Sequence, residues 1–157
     1  AGETLAFIEK MLIPEIAGRY KLEEGIKDIP VILGGYSLAG LFALWSTYQE
    51  KSTVKFAAAA GISPSVWFPG WLEYTETKQI QTKKVYLSLG DREEKTRNSV
   101  MRQVGSNIRE MDSWYGNDEK IECVLEWNKG NHFQDVDVRC GKGFLWCISH
   151  TQEEDRI

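Results

Sequence analysis

Histidine and long apolar runs are scarce in this chain of 157 residues, and each shortage narrows what the protein can be. The sequence has two histidines, and neither lies at ligand spacing from two further ligands, so we expect no zinc site and no cofactor. No apolar run approaches the ~20 residues that a membrane-spanning helix needs. The chain also opens without a recognisable secretory leader. These absences predict a protein without a membrane partner.

Cysteine and basic charge are limited as well. The three cysteines, Cys123, Cys140 and Cys147, are an odd number without a CxxC pair. This usage is more typical of a reduced compartment than of a disulfide scaffold, so we expect a cytoplasmic protein. The formal net charge of −4 offers no basic face for phosphates, and we expect no nucleic-acid partner.

The order of apolar patterns predicts a single domain over residues 1–157. Four short apolar runs rich in β-branched residues or alanine predict buried strands, and stretches with helical spacing lie between them. A first helix with a break near Pro14 precedes these runs, and a polar linker over residues 21–28 follows it. We predict further helices at 38–50, 99–114 and 136–148, and strands at 29–35, 54–63, 83–90 and 121–128.

Such alternation predicts a parallel sheet with helices on both faces. In sheets of this kind, sites form where the strands end. Ser37, the charged loop "DREE" and His132 each follow a predicted strand. We therefore expect them to meet at one edge of the sheet.

The stretch "GGYSLAG" is the first chemical signal, because it puts Ser37 on a tight turn between a strand and a helix. A serine hydroxyl becomes a nucleophile when a base removes its proton and an acid orients that base. Small residues flank the serine, as such an elbow requires, although Ala39 replaces the second glycine of G-x-S-x-G. A serine, an acidic loop and a histidine then follow in the order of the α/β-hydrolases.

Four stretches resemble the esterase family of α/β-hydrolases that holds enterochelin-esterase-like, feruloyl-esterase-like and esterase-D-like enzymes. They are "GGYSLAGLFAL", "AAAAGISPSVWFPGW", "VYLSLGDREEKTRN" and "NKGNHFQD", and they extend over most of residues 28–135. The resemblance implies a three-layer α/β-hydrolase sheet, Ser37 as the nucleophile and His132 as the general base. It also implies that the acid lies in "GDREE".

The resemblance leaves two candidates for the acid. Asp91 follows Gly90 directly, whereas Glu93 stands three residues after that glycine, and the family pattern favours Glu93 over Asp91. Glu94 we interpret as a solvated charge. Similarly, His132 is favoured over His150, which falls near the end of the last predicted helix.

The rest of the expected site consists of one backbone donor and an aromatic wall. The backbone amide of Leu38 is the predicted oxyanion donor. Tyr36, Trp67 and Trp71 are predicted to line a substrate pocket, although ordinary core packing is an equal alternative for the two tryptophans. The expected partner is a small-molecule ester.

The chain departs from the family pattern before the elbow. Strands and a loop with a second oxyanion donor normally precede it, but only one predicted helix does so here. The strand near residues 30–34 is also too apolar for an open sheet edge. Three explanations stay open: a piece of a longer hydrolase, a second copy or another chain that covers the edge, or a shortened relative of low activity.

The predicted function is cleavage of carboxylic esters through an acyl-enzyme. An acyltransferase or thioesterase would use the same three side chains. A binding domain that has lost activity is the alternative outside enzymes. Siderophore esters, feruloyl sugars and small acyl esters all remain open as substrates.

Overall fold

A computed structural model describes residues 1–22 and 29–152. Within these residues the strands form one parallel sheet in the order β1-β2-β3-β4. The strands are β1 (Val31–Tyr36), β2 (Phe56–Ile62), β3 (Lys84–Gly90) and β4 (Glu122–Asn128). The helices are α1 (Gly2–Phe7), α2 (Ile13–Tyr20), α3 (Leu38–Ser46), α4 (Trp71–Glu76), α5 (Val104–Gly116) and α6 (Val136–Gln152). Most of the predicted linker at 21–28 lies outside the described residues.

Helices cover the sheet on both faces, and the alternation of side chains along β3 explains how. Val85 and Leu87 belong to one apolar cluster together with Leu44 of α3 and Ile108 of α5. Tyr86, between them in the sequence, belongs to the opposite cluster, to which α6 contributes Cys147. Strand β3 is buried along its whole length, as its continuous apolar run predicted. The predicted three-layer α/β fold is confirmed.

Three helices differ in extent from the sequence-based boundaries: α3 ends earlier than predicted, α6 ends later, and α5 begins and ends later. The helix predicted from residue 99 begins at Val104, after a 3₁₀ turn over Met101–Gln103. The Asn98 Oδ1 accepts the amides of Val100 and Met101 at 3.0 and 3.1 Å, so Asn98 caps the turns that lead into this helix. Val100 is 42% exposed and lies outside the core.

The first predicted helix is interrupted before Pro14, as expected. A π-helical turn over Ile8–Leu12 separates α1 from α2, whose first turn contains the proline. The apolar stripe predicted along this helix is buried only in part, because Leu5 is buried whereas Leu12 and Ile16 are exposed.

The β1 edge bears on the predicted association. In the described part of the chain, β1 pairs with β2 alone, and its side chains are half-buried. A second chain over this edge stays a prediction. None of the helices within 1–22 and 29–152 combines the length and the apolar character needed to cross a membrane.

Candidate active site

Ser37 occupies a sharp turn between β1 and α3. Its backbone has φ 58° and ψ −119°, a conformation that an L-residue adopts only under strain. The turn brings the chain so close to itself that a Cβ on Gly35 would lie 2.5 Å from the backbone of Ala39. Glycine is therefore required at position 35. Position 39, where the motif has its second glycine, is alanine in this chain. The methyl group of Ala39 therefore already occupies part of the space next to Gly35.

His132 lies in the loop that follows β4, within hydrogen-bond distance of the serine. Its Nε2 is 3.0 Å from Ser37 Oγ. Two contacts fix the loop: the Tyr36 hydroxyl donates to the His132 carbonyl, and the Gly130 amide donates to Asp91 Oδ1 at 2.8 Å. The nucleophile candidate and the base candidate thus meet at the carboxyl ends of β1 and β4.

Glu93, rather than Asp91, reaches the histidine. Glu93 begins a 3₁₀ turn after β3, and its Oε2 lies 2.7 Å from His132 Nδ1. The Asp91 carboxylate instead accepts a hydrogen bond from the Gly130 amide, which helps to fix the loop that carries the histidine. The contacts therefore favour Glu93 as the acid of the predicted set.

The environment of Glu93 keeps its carboxylate ionised. Burial by itself raises the pKa of a carboxyl group, but hydrogen bonds to Glu93 outweigh burial and lower its pKa from 4.5 to about 2. The donors are the His132 ring, the Arg139 guanidinium, the Ser63 hydroxyl and the Gly90 amide.

An ionised carboxylate decides which ring nitrogen carries the proton. It can only accept hydrogen bonds, so Nδ1 of His132 is the donor to Glu93. In the neutral imidazole Nε2 is then unprotonated and accepts the Ser37 hydroxyl. This is the tautomer that a general base for Ser37 requires.

The predicted oxyanion donor, Leu38, is the first residue of α3. The first amides of a helix have no acceptor within that helix, so the amide of Leu38 is not consumed by helix formation. The side chain of Leu38 is exposed. The role of the amide remains a prediction.

A cavity of about 360 Å³ opens in front of Ser37 and His132. Its volume falls within the range of small-molecule sites. Trp67, one of the predicted pocket residues, lines it, and Phe133, Arg92 and Lys95 add an aromatic and two basic side chains to its wall.

The other two predicted pocket residues, Tyr36 and Trp71, do not line this cavity. Tyr36 is tied beneath the loop by its hydrogen bonds to the His132 carbonyl and Arg139. Trp71 is buried, stacks on Tyr74 and donates its Nε1–H to Met111 Sδ at 3.2 Å. Core packing, the alternative for Trp71, accounts for these contacts, but Trp71 also borders a second, larger cavity.

A larger apolar cavity, of about 750 Å³, borders the elbow on its helix side. Leu38 and Ala39 line it next to Ser37, and aromatic side chains form its far wall. The aromatic members are Phe42, Trp45, Phe68, Trp71 and Tyr74.

Sequence reasoning missed three polar side chains at the site: Ser63, Ser65 and Arg139. Ser63 donates to Glu93 Oε1 at 2.7 Å, and Ser65 Oγ lies 3.4 Å from Ser37 Oγ. Both belong to "ISPS", which as a sequence indicates only a turn. The sequence did contain an indication of the position of Arg139, because Arg139, Gly143 and Cys147 are four residues apart and so lie on the same side of α6. Gly143 and Cys147 face the core, so this arginine falls on a buried stripe.

His150 and the three cysteines do not join the site. His150 stacks on Trp146, and its Nε2 lies 3.4 Å from Glu122 Oε1, so its role is structural. Cys123, Cys140 and Cys147 are free thiols. Across residues 1–22 and 29–152, no group of three or more histidine, cysteine or acidic side chains is arranged to hold a metal ion.

No protein-family model matches the chain, and no curated protein matches its sequence. Solved structures do resemble it. The siderophore hydrolase EstA from Aspergillus nidulans has a TM-score of 0.66 at 21% identity, over 93% of this chain and 56% of its own. An IroE-like serine hydrolase from Shewanella oneidensis has a TM-score of 0.67 at 18% identity, over 90% of this chain and 46% of its own.

The BES protein from Bacillus cereus gives a similar result, with a TM-score of 0.63 at 23% identity, over 94% of this chain and 54% of its own. The chain therefore has the α/β-hydrolase fold of these structures. It spans about half of their length.

Proposed function

We propose that this chain is a serine hydrolase that cleaves carboxylic esters through an acyl-enzyme. Ser37 is the nucleophile, His132 is the general base and then the general acid, and Glu93 orients the imidazole. The backbone amide of Leu38 donates to the oxyanion. The scheme requires neither a metal nor an organic cofactor.

The observation that carries the proposal is a pair of hydrogen bonds in series. Ser37 Oγ is 3.0 Å from His132 Nε2, and His132 Nδ1 is 2.7 Å from Glu93 Oε2. The strained backbone of Ser37 adds support, because strain of this kind is concentrated at functional sites. The neighbouring cavity gives a small molecule access to these atoms.

The first half of the reaction forms the acyl-enzyme. Ser37 Oγ attacks the ester carbonyl carbon while its proton moves to His132 Nε2. The carbonyl electron pair moves onto oxygen, where the Leu38 amide at the start of α3 stabilises the negative charge. As the intermediate collapses, the bond to the alkoxy group breaks, and the imidazolium gives its proton to the departing alcohol.

The second half returns the serine to its starting state. Water attacks the acyl carbon, and His132 accepts its proton. The carbon–oxygen bond to Ser37 then breaks, and the serine recovers its proton from the imidazolium. The ionised Glu93 carboxylate stabilises the imidazolium in both halves.

The substrate class that we propose is a small ester with a bulky apolar acyl or alkyl part. The cavity at Ser37 carries Trp67 and Phe133, and the larger apolar cavity begins one residue away, at Leu38. A structural neighbour described as a siderophore hydrolase adds siderophore esters to the compounds to test, beside feruloyl sugars and small acyl esters.

The test is hydrolysis of p-nitrophenyl esters of increasing acyl length by the purified chain. We expect a burst of nitrophenol, because nitrophenolate leaves as the acyl-enzyme forms, and an activated ester acylates the serine faster than the acyl-enzyme hydrolyses. Ser37→Ala removes the nucleophile and should abolish the burst. Addition of an alcohol during the assay separates hydrolysis from acyl transfer by its products. A chain that folds but releases nitrophenol no faster than Ser37→Ala would contradict the proposal.

A further inference from the structure

Arg139 carries a permanent positive charge in the interior of the protein. It lies in the first turn of α6, and its side chain is 1% exposed. An unpaired charge at such a position is strongly unfavourable. We therefore expect the guanidinium to have defined hydrogen-bond acceptors and a negatively charged partner inside the protein.

One side of the guanidinium fixes Glu93. Nη2 donates to Glu93 Oε1 at 2.8 Å and also to the hydroxyl of Ser63. The other carboxylate oxygen, Oε2, is the one that faces His132, at 2.7 Å. The two oxygens of Glu93 therefore have separate partners, and Arg139 holds the oxygen that does not face the imidazole.

The other side of the guanidinium reaches the segments that carry the serine and the histidine. Nη1 donates to the Tyr36 hydroxyl at 3.1 Å and to the Asn131 carbonyl at 3.3 Å. The Tyr36 hydroxyl in turn donates to the His132 carbonyl. Arg139 thus connects the residue before the nucleophile, the loop before the base, and the acid.

We propose that Arg139 is a positioning residue, which aligns Glu93 and the histidine loop so that the imidazole meets Ser37 in the reactive geometry. The inference rests on the proposed function of the site. Arg139 does not touch the cavity in which the ester would react, so its effect passes through Glu93, Tyr36 and the Asn131 carbonyl.

The planar fork of arginine suits this task better than the ammonium of lysine. A guanidinium offers several donors in a fixed plane, whereas an ammonium is a compact charge on a flexible stem. Arg139→Lys keeps the positive charge opposite Glu93, but a lysine cannot bind Glu93 on one side and Tyr36 on the other at the same time. This variant therefore distinguishes the effect of the charge from the effect of the hydrogen-bond geometry.

The experiment measures ester turnover and the rate of Ser37 phosphonylation by a fluorophosphonate in Arg139→Met and Arg139→Lys. We expect kcat to fall on the order of 100-fold in Arg139→Met, with KM changed little, because misplacement of a catalytic group by about 1 Å has that effect. Arg139→Lys should recover part of the rate. The matched control is Arg109→Met, which removes the bidentate partner of the adjacent carboxylate, Glu94, and should leave turnover unchanged.

A double-variant comparison distinguishes positioning from a purely structural role. If Arg139 acts mainly through Glu93, Arg139→Met costs far less in the Glu93→Gln background than in the wild type. The double variant also removes both buried charges together, so it keeps the measurement possible if the single variant does not fold. An unchanged rate per folded molecule in Arg139→Met would overturn the proposal. An equal loss of rate in both backgrounds would contradict the part of it that acts through Glu93.

A spectroscopic measurement keeps this inference separate from the proposed function. The Nδ1 proton of His132, shared with Glu93, should give a low-field proton resonance in the wild type and in Arg109→Met. The resonance should be lost or shifted in Arg139→Met. If the wild type proves inactive, the proposed function fails, but this resonance still reports whether Arg139 aligns Glu93 with His132. A resonance that is the same in Arg139→Met and the wild type would contradict the alignment.

Discussion

Glu93 and Glu94 are adjacent in the sequence, and each forms an ion pair with an arginine that is distant along the chain. Glu93 pairs with Arg139 at 2.8 Å, and Glu94 pairs with Arg109 at 2.9 Å. The first pair is buried, with side chains 5% and 1% exposed. The second lies at the surface, with 31% and 52% exposed. The two ion pairs are therefore almost equally short, but they lie in very different surroundings.

The difference shows that burial, and not the pairing itself, decides what an ion pair does here. Water and salt weaken the attraction between exposed charges, so the pair of Glu94 contributes little to stability. For Glu93, burial removes water as an alternative partner, so the carboxylate depends on its protein donors. Because these donors bind Oε1 of Glu93, the other carboxylate oxygen, Oε2, faces His132.

The largest expected contrast is in catalysis. Glu93→Gln should lower kcat of ester hydrolysis on the order of 10⁴-fold, because an amide does not stabilise the imidazolium or select its tautomer. Glu94→Gln is the matched control and should leave kcat near that of the wild type. Steady-state kinetics on one p-nitrophenyl ester measures both. Similar losses in the two variants would break the distinction between the two carboxylates.

A second contrast concerns stability. Arg139→Met leaves the Glu93 charge buried without its partner and should lower the free energy of unfolding by about 3–5 kcal/mol. Arg109→Met should cost less than about 1 kcal/mol. Urea unfolding followed by tryptophan fluorescence gives both values. A larger cost for Arg109→Met than for Arg139→Met would be incompatible with the burial argument.

The pH dependence of stability sharpens the comparison further. The folded-state pKa of Glu93, about 2, lies below the ordinary value of 4.5, so its contribution is present above pH 4.5 and lost as the pH falls toward 2. The amount is on the order of 3 kcal/mol. Wild type should therefore lose stability relative to Glu93→Gln between these pH values, as measured by urea unfolding. Parallel curves for the two proteins would contradict this assignment.

The smallest expected effect distinguishes Glu93 from Asp91, the other candidate for the acid. Asp91→Asn keeps an oxygen that can accept the Gly130 amide, so the histidine loop should survive with a loss of about 1 kcal/mol in stability. Its kcat should stay close to that of the wild type. A loss of kcat as large as that of Glu93→Gln would make Asp91 the catalytic acid instead.

Much of the fold follows from local patterns. The continuous apolar runs predicted β2 and β3 because strands covered on both faces need no polar positions. Small residues around Ser37 predicted the elbow, because a Cβ at position 35 cannot fit against Ala39. The predicted order of serine, acid and histidine corresponds to groups that the structure brings together at one edge of the sheet.

The network beneath the site was harder to predict because its members are far apart in the sequence. Ser63 and Arg139 contact Glu93 from 30 and 46 residues away. Trp67 and Trp71 show the same limit, since spacing alone does not tell which aromatic side chain lines a cavity. The two tryptophans line different cavities: Trp67 borders the cavity at Ser37, whereas Trp71 packs on Tyr74 and borders the larger apolar cavity beside Leu38.

The most direct test of the central claim is the intact mass of the chain after exposure to a fluorophosphonate, followed by peptide mapping. We predict one adduct per chain, on Ser37, that is absent in Ser37→Ala and forms much more slowly in Glu93→Gln than in Glu94→Gln. A folded chain that forms no adduct, or carries it on another residue, would contradict the assignment of Ser37, His132 and Glu93 as the reactive set.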